Sequence, residues 1–188
     1  MNQKLFKIES NMTKILAFAG STSSTSINKK LAIFAAENLE NTSFDVIDLR
    51  DFEMPMYSED EEKNGFSENT KKFSALLDRY DGFILSLAEH NGSYAAAFKN
   101  IFDWSSRVEA NVFRDKPLLL MATSPGEMGG RFVLEAGVQK FSRMGAKELV
   151  SFSFPNFYDN FKEGEMIHED LLKALKGQVH TFENSVNK

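Results

Sequence analysis

Six hydroxyl-bearing residues follow one another in the stretch "AFAGSTSSTSINKKLA", from Ser21 to Ser26, between an apolar run and a segment with helical spacing. Hydroxyls both donate and accept, and they rotate to meet the oxygen atoms of an anion. If a helix starts just after them, its first N–H groups lack partners and the helix dipole concentrates roughly half a positive charge there. The six hydroxyl residues, Ser21, Thr22, Ser23, Ser24, Thr25 and Ser26, leading into a helix at Ile27 and Asn28, therefore read as a phosphate cradle. The same residues also suit a plainer role, with Ser26 capping the helix and the others decorating a turn. Lys29 and Lys30 follow, either as extra positive charge or as solvated side chains. No Gly-Lys-Ser/Thr ending and no G-x-G-x-x-G spacing is present, which disfavours a nucleoside triphosphate or a dinucleotide in the Rossmann position.

Two further stretches could meet a ligand. In "AEHNGSYAAAFKNIFDWSSR", Asn91 and Gly92 permit a tight turn with positive φ, so that backbone N–H and C=O groups can approach a flat ring. His90 beside them could border such a ring or face solvent. In "ATSPGEMGGRF", glycines such as Gly126 let the backbone run close beneath a ligand and Ser124 can donate a hydrogen bond, although a strand-to-helix turn favours Pro and Gly in any case. The chain has no cysteine, and His90, His168 and His180 are too far apart to form a metal motif. No acid–base pair or nucleophile stands out either, so the expected catalytic and metal sets are both empty.

Elements that could position these stretches follow from hydrophobic periodicity. Short apolar runs at 14 to 20, 44 to 49, 82 to 87, 117 to 123 and 148 to 154 predict five strands covered on both faces. Between them lie segments of helical spacing, one capped by Ser67, one ended by Gly145, and a last one running from Ile167 to Phe182. Strand–helix alternation predicts an α/β fold with a five-stranded parallel sheet, helices on both faces and the flavodoxin-like order 2-1-3-4-5. In such sheets ligands sit beyond the carboxyl ends of the strands. The loops to inspect are then 20 to 28, 50 to 66, 87 to 94, 123 to 131 and 154 to 166. The acidic run "SEDEEKNG" reads as a solvated loop, and "PNFYDNF" as a loop whose aromatics cover a substrate, meet a partner or enter the core.

Bulk properties exclude several classes. The 188 residues fit one domain, 1–188, with polar residues 1–12 as an N-terminal extension, and 18 Phe promise an aromatic core. A net charge of -5 without a basic stripe argues against nucleic acid. No apolar run reaches membrane-spanning or signal-peptide length, so a cytoplasmic location away from membranes is expected.

The three stretches together resemble the NADPH-dependent FMN reductases, a family of flavin-dependent quinone, azo-dye and chromate reductases. "GSTSSTSIN" is similar to their G-S-x-R-x-x-S-x-N loop at Gly20, Ser21, Ser26 and Asn28, with Ser23 in the arginine position. The second stretch is similar to P-E-Y-N-G-S and K-N-x-x-D-W at Glu89, Asn91, Gly92, Ser93, Lys99, Asn100, Asp103 and Trp104. The third is similar to A-S-P-G-x-x-G-G-x-R at Ser124, Pro125, Gly126, Gly129 and Gly130, with Arg131 one position early, and "DFEMPMYSED" carries a smaller likeness. The resemblance implies FMN with its phosphate among Ser21, Ser26 and Asn28 and its ring near Glu89, His90, Asn91 and Gly92. It also implies NADPH or NADH as co-substrate, a small-molecule electron acceptor and a homodimer or homotetramer. The alternative it leaves is an FMN-binding electron carrier or redox sensor without NAD(P)H activity.

Overall fold

The computed structural model describes residues 13–188, so the expected extension at 1–12 lies outside the described residues. Strands β1 (Lys14–Gly20), β2 (Ser43–Val46) and β3 (Gly82–His90) alternate with helices α1 (Ile27–Glu37), α2 (Glu59–Lys63) and α3 (Glu68–Leu77). The two-residue β4 (Ser93–Tyr94) follows, then α4 (Ala96–Val108), β5 (Lys116–Thr123), α5 (Arg131–Phe141) and β6 (Ala146–Phe154). The chain ends with α6 (Phe157–Asn160), β7 (Phe161–Lys162), β8 (Glu165–Met166) and α7 (Glu169–Val186). The main sheet runs β2-β1-β3-β5-β6, all parallel, which is the flavodoxin-like 2-1-3-4-5 order expected for the five long strands.

Apolar runs form the central strands because both of their faces are covered. Leu16, Phe18, Phe83, Leu85, Leu118 and Leu120 pack against α3, α4 and α5, in a core that includes Phe73, Phe98, Phe102 and Phe141. Ile15, Ala17, Ile84, Leu119 and Met121 point to the other face, against Leu31, Phe34 and Ala35 of α1 and Leu175, Val179 and Phe182 of α7. Phe141 is wholly buried, with the rings of Phe113 and Phe102 at 4.9 and 5.0 Å from it.

Several boundaries differ from the periodicity, each for a local reason. β2 stops at Val46, and a 3-10 turn (Leu49–Phe52) follows because the Asp48 side chain accepts the Arg50 N–H. β3 runs on to His90, since Glu89 and His90 pair antiparallel with Tyr94 and Ser93. The acidic run is solvated, but its centre is helix α2 rather than loop: Ser58 caps it and Lys63 pairs with Asp60 one turn back. α5 ends at Phe141, before Gly145, and α7 starts after Ile167, which is exposed. In the 155–161 segment Phe157 and Phe161 enter the core and only Tyr158 stays in water, so core packing accounts for most of its aromatics. Ser67 caps α3 as expected.

Candidate functional site

The first loop joins β1 to α1 at the carboxyl end of the sheet. Ser26 does cap the helix: its Oγ accepts the Lys29 N–H at 3.2 Å while its C=O accepts that of Lys30. The other hydroxyls knit the turn together. Ser21 Oγ accepts the Ser23 N–H at 3.2 Å, Ser23 Oγ accepts the Thr25 N–H at 3.3 Å, and the Ser26 N–H donates to the Ser23 C=O. Thr22 to Thr25 nevertheless remain exposed. The N–H groups of Thr22, Ser24, Ile27 and Asn28 find no acceptor among the described residues. A helix start with spare donors and rotatable hydroxyls is an anion-accepting surface.

Asn28 has a different fate from its hydroxyl neighbours. Its side chain is buried, with Oδ1 accepting from Ser86 Oγ at 2.7 Å and from the Thr123 N–H at 3.1 Å, and Nδ2 donating to the Thr123 C=O. This one amide ties the start of α1 to β3 and to the end of β5. What Asn28 can still offer a ligand is its backbone N–H.

The second loop is a two-residue hairpin between β3 and β4. Asn91 and Gly92 have φ of 52 and 74, the left-handed pair that a two-residue turn between antiparallel strands demands, so Asn-Gly is the sequence that fits. His90, Asn91, Gly92 and Ser93 are all exposed at this tip. Glu89 is not. It lies half-buried, and its Oε2 accepts the Val133 N–H in the first turn of α5 at 3.0 Å, capping a helix that Gly130 cannot cap.

The third loop follows β5. Ser124 Oγ donates to the Gly126 C=O at 3.2 Å, and Gly126 itself is exposed with open space beside it. Gly129 must be glycine: at φ 58 a Cβ would stand 2.5 Å from Ser153 Oγ and 2.9 Å from the Pro155 N. Arg131, at the start of α5, is exposed and borders a groove with Ser151 and Ser153.

Beyond these loops the structure brings in residues that the sequence did not single out. A cleft of about 470 Å³ opens beside Thr22 and is lined by Arg50, Phe52, Met54, Met56 and Ala97, among others. Its wall is stapled from α4: Asn100 accepts the Tyr57 N–H at 2.8 Å and donates to the Pro55 C=O, to which the buried Trp104 also donates through Nε1. Of the K-N-x-x-D-W residues, Asn100 and Trp104 thus hold the 54–57 segment, while Lys99 and Asp103 pair with each other one turn apart. Asp48 holds both Arg50, through paired bonds of 3.0 and 2.8 Å, and Lys29, at 2.6 Å. Arg50 and then Lys29 pull the Asp48 carboxyl far below the usual carboxylate range, against the opposing effect of burial. The spacing of Asp48 and Arg50 is visible in the sequence, but nothing local in it brings Lys29 to Asp48.

The three loops whose residue types pointed to a ligand therefore meet at one end of the sheet, linked by Asn28 and by Glu89. The profile of the family described as NADPH-dependent FMN reductase matches residues 13–159. An NADPH:quinone oxidoreductase of Arabidopsis thaliana is 30% identical over 176 residues, covering 88% of this chain and 87% of its own. The NAD(P)H-dependent FMN reductase PA1204 of Pseudomonas aeruginosa is 32% identical over 117 residues, 62% of each chain. Among solved structures, the flavoenzyme NAD(P)H:(acceptor) oxidoreductase FerB of Paracoccus denitrificans superposes with a TM-score of 0.74 at 23% identity, covering 94% of this chain and 98% of that one, a likeness of fold.

Proposed function

This chain belongs to the NADPH-dependent FMN reductase family, oxidoreductases that use FMN and NAD(P)H, and on that premise we propose that it passes a hydride from NADPH or NADH through FMN to a flavin, quinone or similar small acceptor. One observation carries the reading: hydrogen bonds of Asn28 and Glu89 lock the first, second and third loops into one surface at the carboxyl ends of β1, β3 and β5.

The residues present suit FMN. The exposed hydroxyls of Thr22 and Ser23, with Ser21, the free proton of Ser26 and the spare N–H groups of Ile27 and Asn28, suit its phosphate. The exposed tip of His90, Asn91 and Gly92, the backbone of Glu89, and Ser124 and Gly126 suit a flat ring. When bound, FMN supplies the redox chemistry, and the protein supplies position and electrostatics. The apolar cleft lined by Phe52, Met54 and Met56 suits a planar acceptor or the nicotinamide. Residues 1–188 acting as one FMN-binding domain, a cytoplasmic location and a homodimer or homotetramer complete the proposal. Exposed Met56, Met128 and Phe132 near the site support self-association, and no helix among the described residues is long and apolar enough to cross a membrane.

The test is direct. The purified protein should take up FMN at micromolar concentration and then oxidise NADPH or NADH with a quinone present. Absence of FMN binding would overturn the proposal, and bound FMN that neither nucleotide reduces in stopped flow would restrict the protein to electron carriage.

A further inference from the structure

We propose that Arg50, oriented by Asp48, provides the positive charge that balances the FMN phosphate, reaching it from outside the first loop. The inference rests on the FMN reading above and names the residue that completes it.

A phosphate monoester carries nearly two negative charges at neutral pH, yet residues 20 to 28 contain no Lys or Arg. Lys29, Lys30, Arg50 and Arg131 lie on the elements around the carboxyl end of the sheet. Lys30 turns away, into a groove with Ile33, Phe34 and Tyr158 on the outer side of α1. Arg131 borders the groove against β6, at the opposite edge of the sheet from β2. Lys29 points at Asp48, its side chain 30% exposed. Arg50 is half exposed and lines the same cleft as Thr22 of the hydroxyl loop.

The geometry of Arg50 is that of a prepared donor. Asp48 takes Nε and Nη2 through its two carboxylate oxygens and also accepts the Arg50 N–H, fixing the plane of the guanidinium. Nη1 has no acceptor among the described residues and is left to a ligand. Lys29 shares the same carboxylate, so within this bonded cluster two cations face one anion, and Asp51, whose charge also acts on Arg50, is exposed to water that screens it. Glu53 on the same cleft is exposed, where water screens its charge. Asp48 and Lys29 are positioning residues in this arrangement, and Arg50 is the contact.

The experiment compares FMN with riboflavin, which lacks the phosphate, by flavin fluorescence titration of the full chain at two ionic strengths. Arg50→Gln should raise the FMN Kd about tenfold, leave riboflavin within about twofold and flatten the salt dependence of FMN binding. Ser23→Arg added to Arg50→Gln, which puts a guanidinium inside the loop, should restore FMN affinity. Thermal unfolding of each ligand-free variant checks that the fold is intact. An Arg50→Gln protein that keeps the wild-type preference for FMN over riboflavin would overturn the role of Arg50 alone, as would an equal loss of both flavins. A wild type that binds neither flavin would overturn the FMN reading and this inference together.

Discussion

The two ends of the parallel sheet spend their polar groups in opposite ways. At the amino end, side chains satisfy one another. Arg114 donates to Asp78 at 2.7 Å, to Ser74 Oγ at 2.7 Å and to the Val112 C=O. Asp45 takes Lys14 at 2.7 Å and the Tyr80 hydroxyl at 2.6 Å, and burial together with Asp45 pushes the Tyr80 pKa up to about 12. The buried Glu183 of α7 accepts the Asn41 N–H at 2.7 Å and the Thr42 hydroxyl at 2.9 Å. At the carboxyl end, Asn28 and Glu89 join separate elements and Ser21, Ser23 and Ser26 bond within their own turn, but exposed hydroxyls and the N–H groups of Thr22, Ser24, Ile27 and Asn28 keep unused capacity. One end spends its polar groups on the fold, and the other keeps the capacity that the proposed function assigns to a ligand.

Substitutions can break that contrast or sharpen it, and the amino end should give the largest effects on stability. Arg114→Ala removes a nearly buried guanidinium with several acceptors and should cost about 3 kcal/mol in urea unfolding, with FMN affinity of the folded protein unchanged. Glu183→Gln should cost about 2 kcal/mol near neutral pH, because buried donors lose a charged acceptor. Burial disfavours the Glu183 carboxylate, but the N–H groups of Asn41 and Glu40 and the Thr42 hydroxyl outweigh it and hold its pKa below 4.5. The stabilisation is therefore complete above pH 4.5 and fades as pH falls through the folded value. Unfolding curves of wild type and variant should converge on acidification, and a gap that widens instead would contradict the assignment.

Smaller stability effects are expected at the ligand end. Gly92→Ala puts a Cβ on a residue with φ of 74 and should cost about 1 kcal/mol, with a loss of FMN affinity as the hairpin tip shifts. Ser24→Ala should change stability by less than about 0.5 kcal/mol, being exposed and outside the internal bonds of the loop. Its FMN Kd should still rise roughly threefold if its hydroxyl serves the phosphate. A destabilised but fully binding Ser24→Ala protein would reverse the contrast drawn above.

How far residue patterns reached depends on whether the deciding contact was local. β1, β3 and β5 were legible because burial on both faces demands continuous apolar runs, and the Asn91–Gly92 turn because few other pairs adopt its backbone. The last residues of β3 were not, since polar Glu89 and His90 join the sheet only through pairing with β4. The helical character of 59–63 depends on Ser58 and an ion pair within one turn, a signal present but masked by the density of charge. Asn28 matched a phosphate-site pattern, yet its side chain bonds to residues 58 and 95 positions away, and such partners leave no periodicity to read. The Asp48–Arg50–Lys29 cluster likewise needs β2 and α1 side by side before it exists. The candidate ligand residues converged because their loops share one end of the sheet, a matter of topology rather than of any one motif.

The bond from Glu89 to the Val133 N–H has a practical corollary. It makes a single backbone nitrogen, inside the sheet-facing side of α5, the mechanical tether between the hairpin and the glycine-rich turn. A ligand that moved the hairpin would lengthen or shorten that tether, so under the proposed function the Val133 amide resonance should report occupancy, readable by NMR with no chromophore attached to the protein.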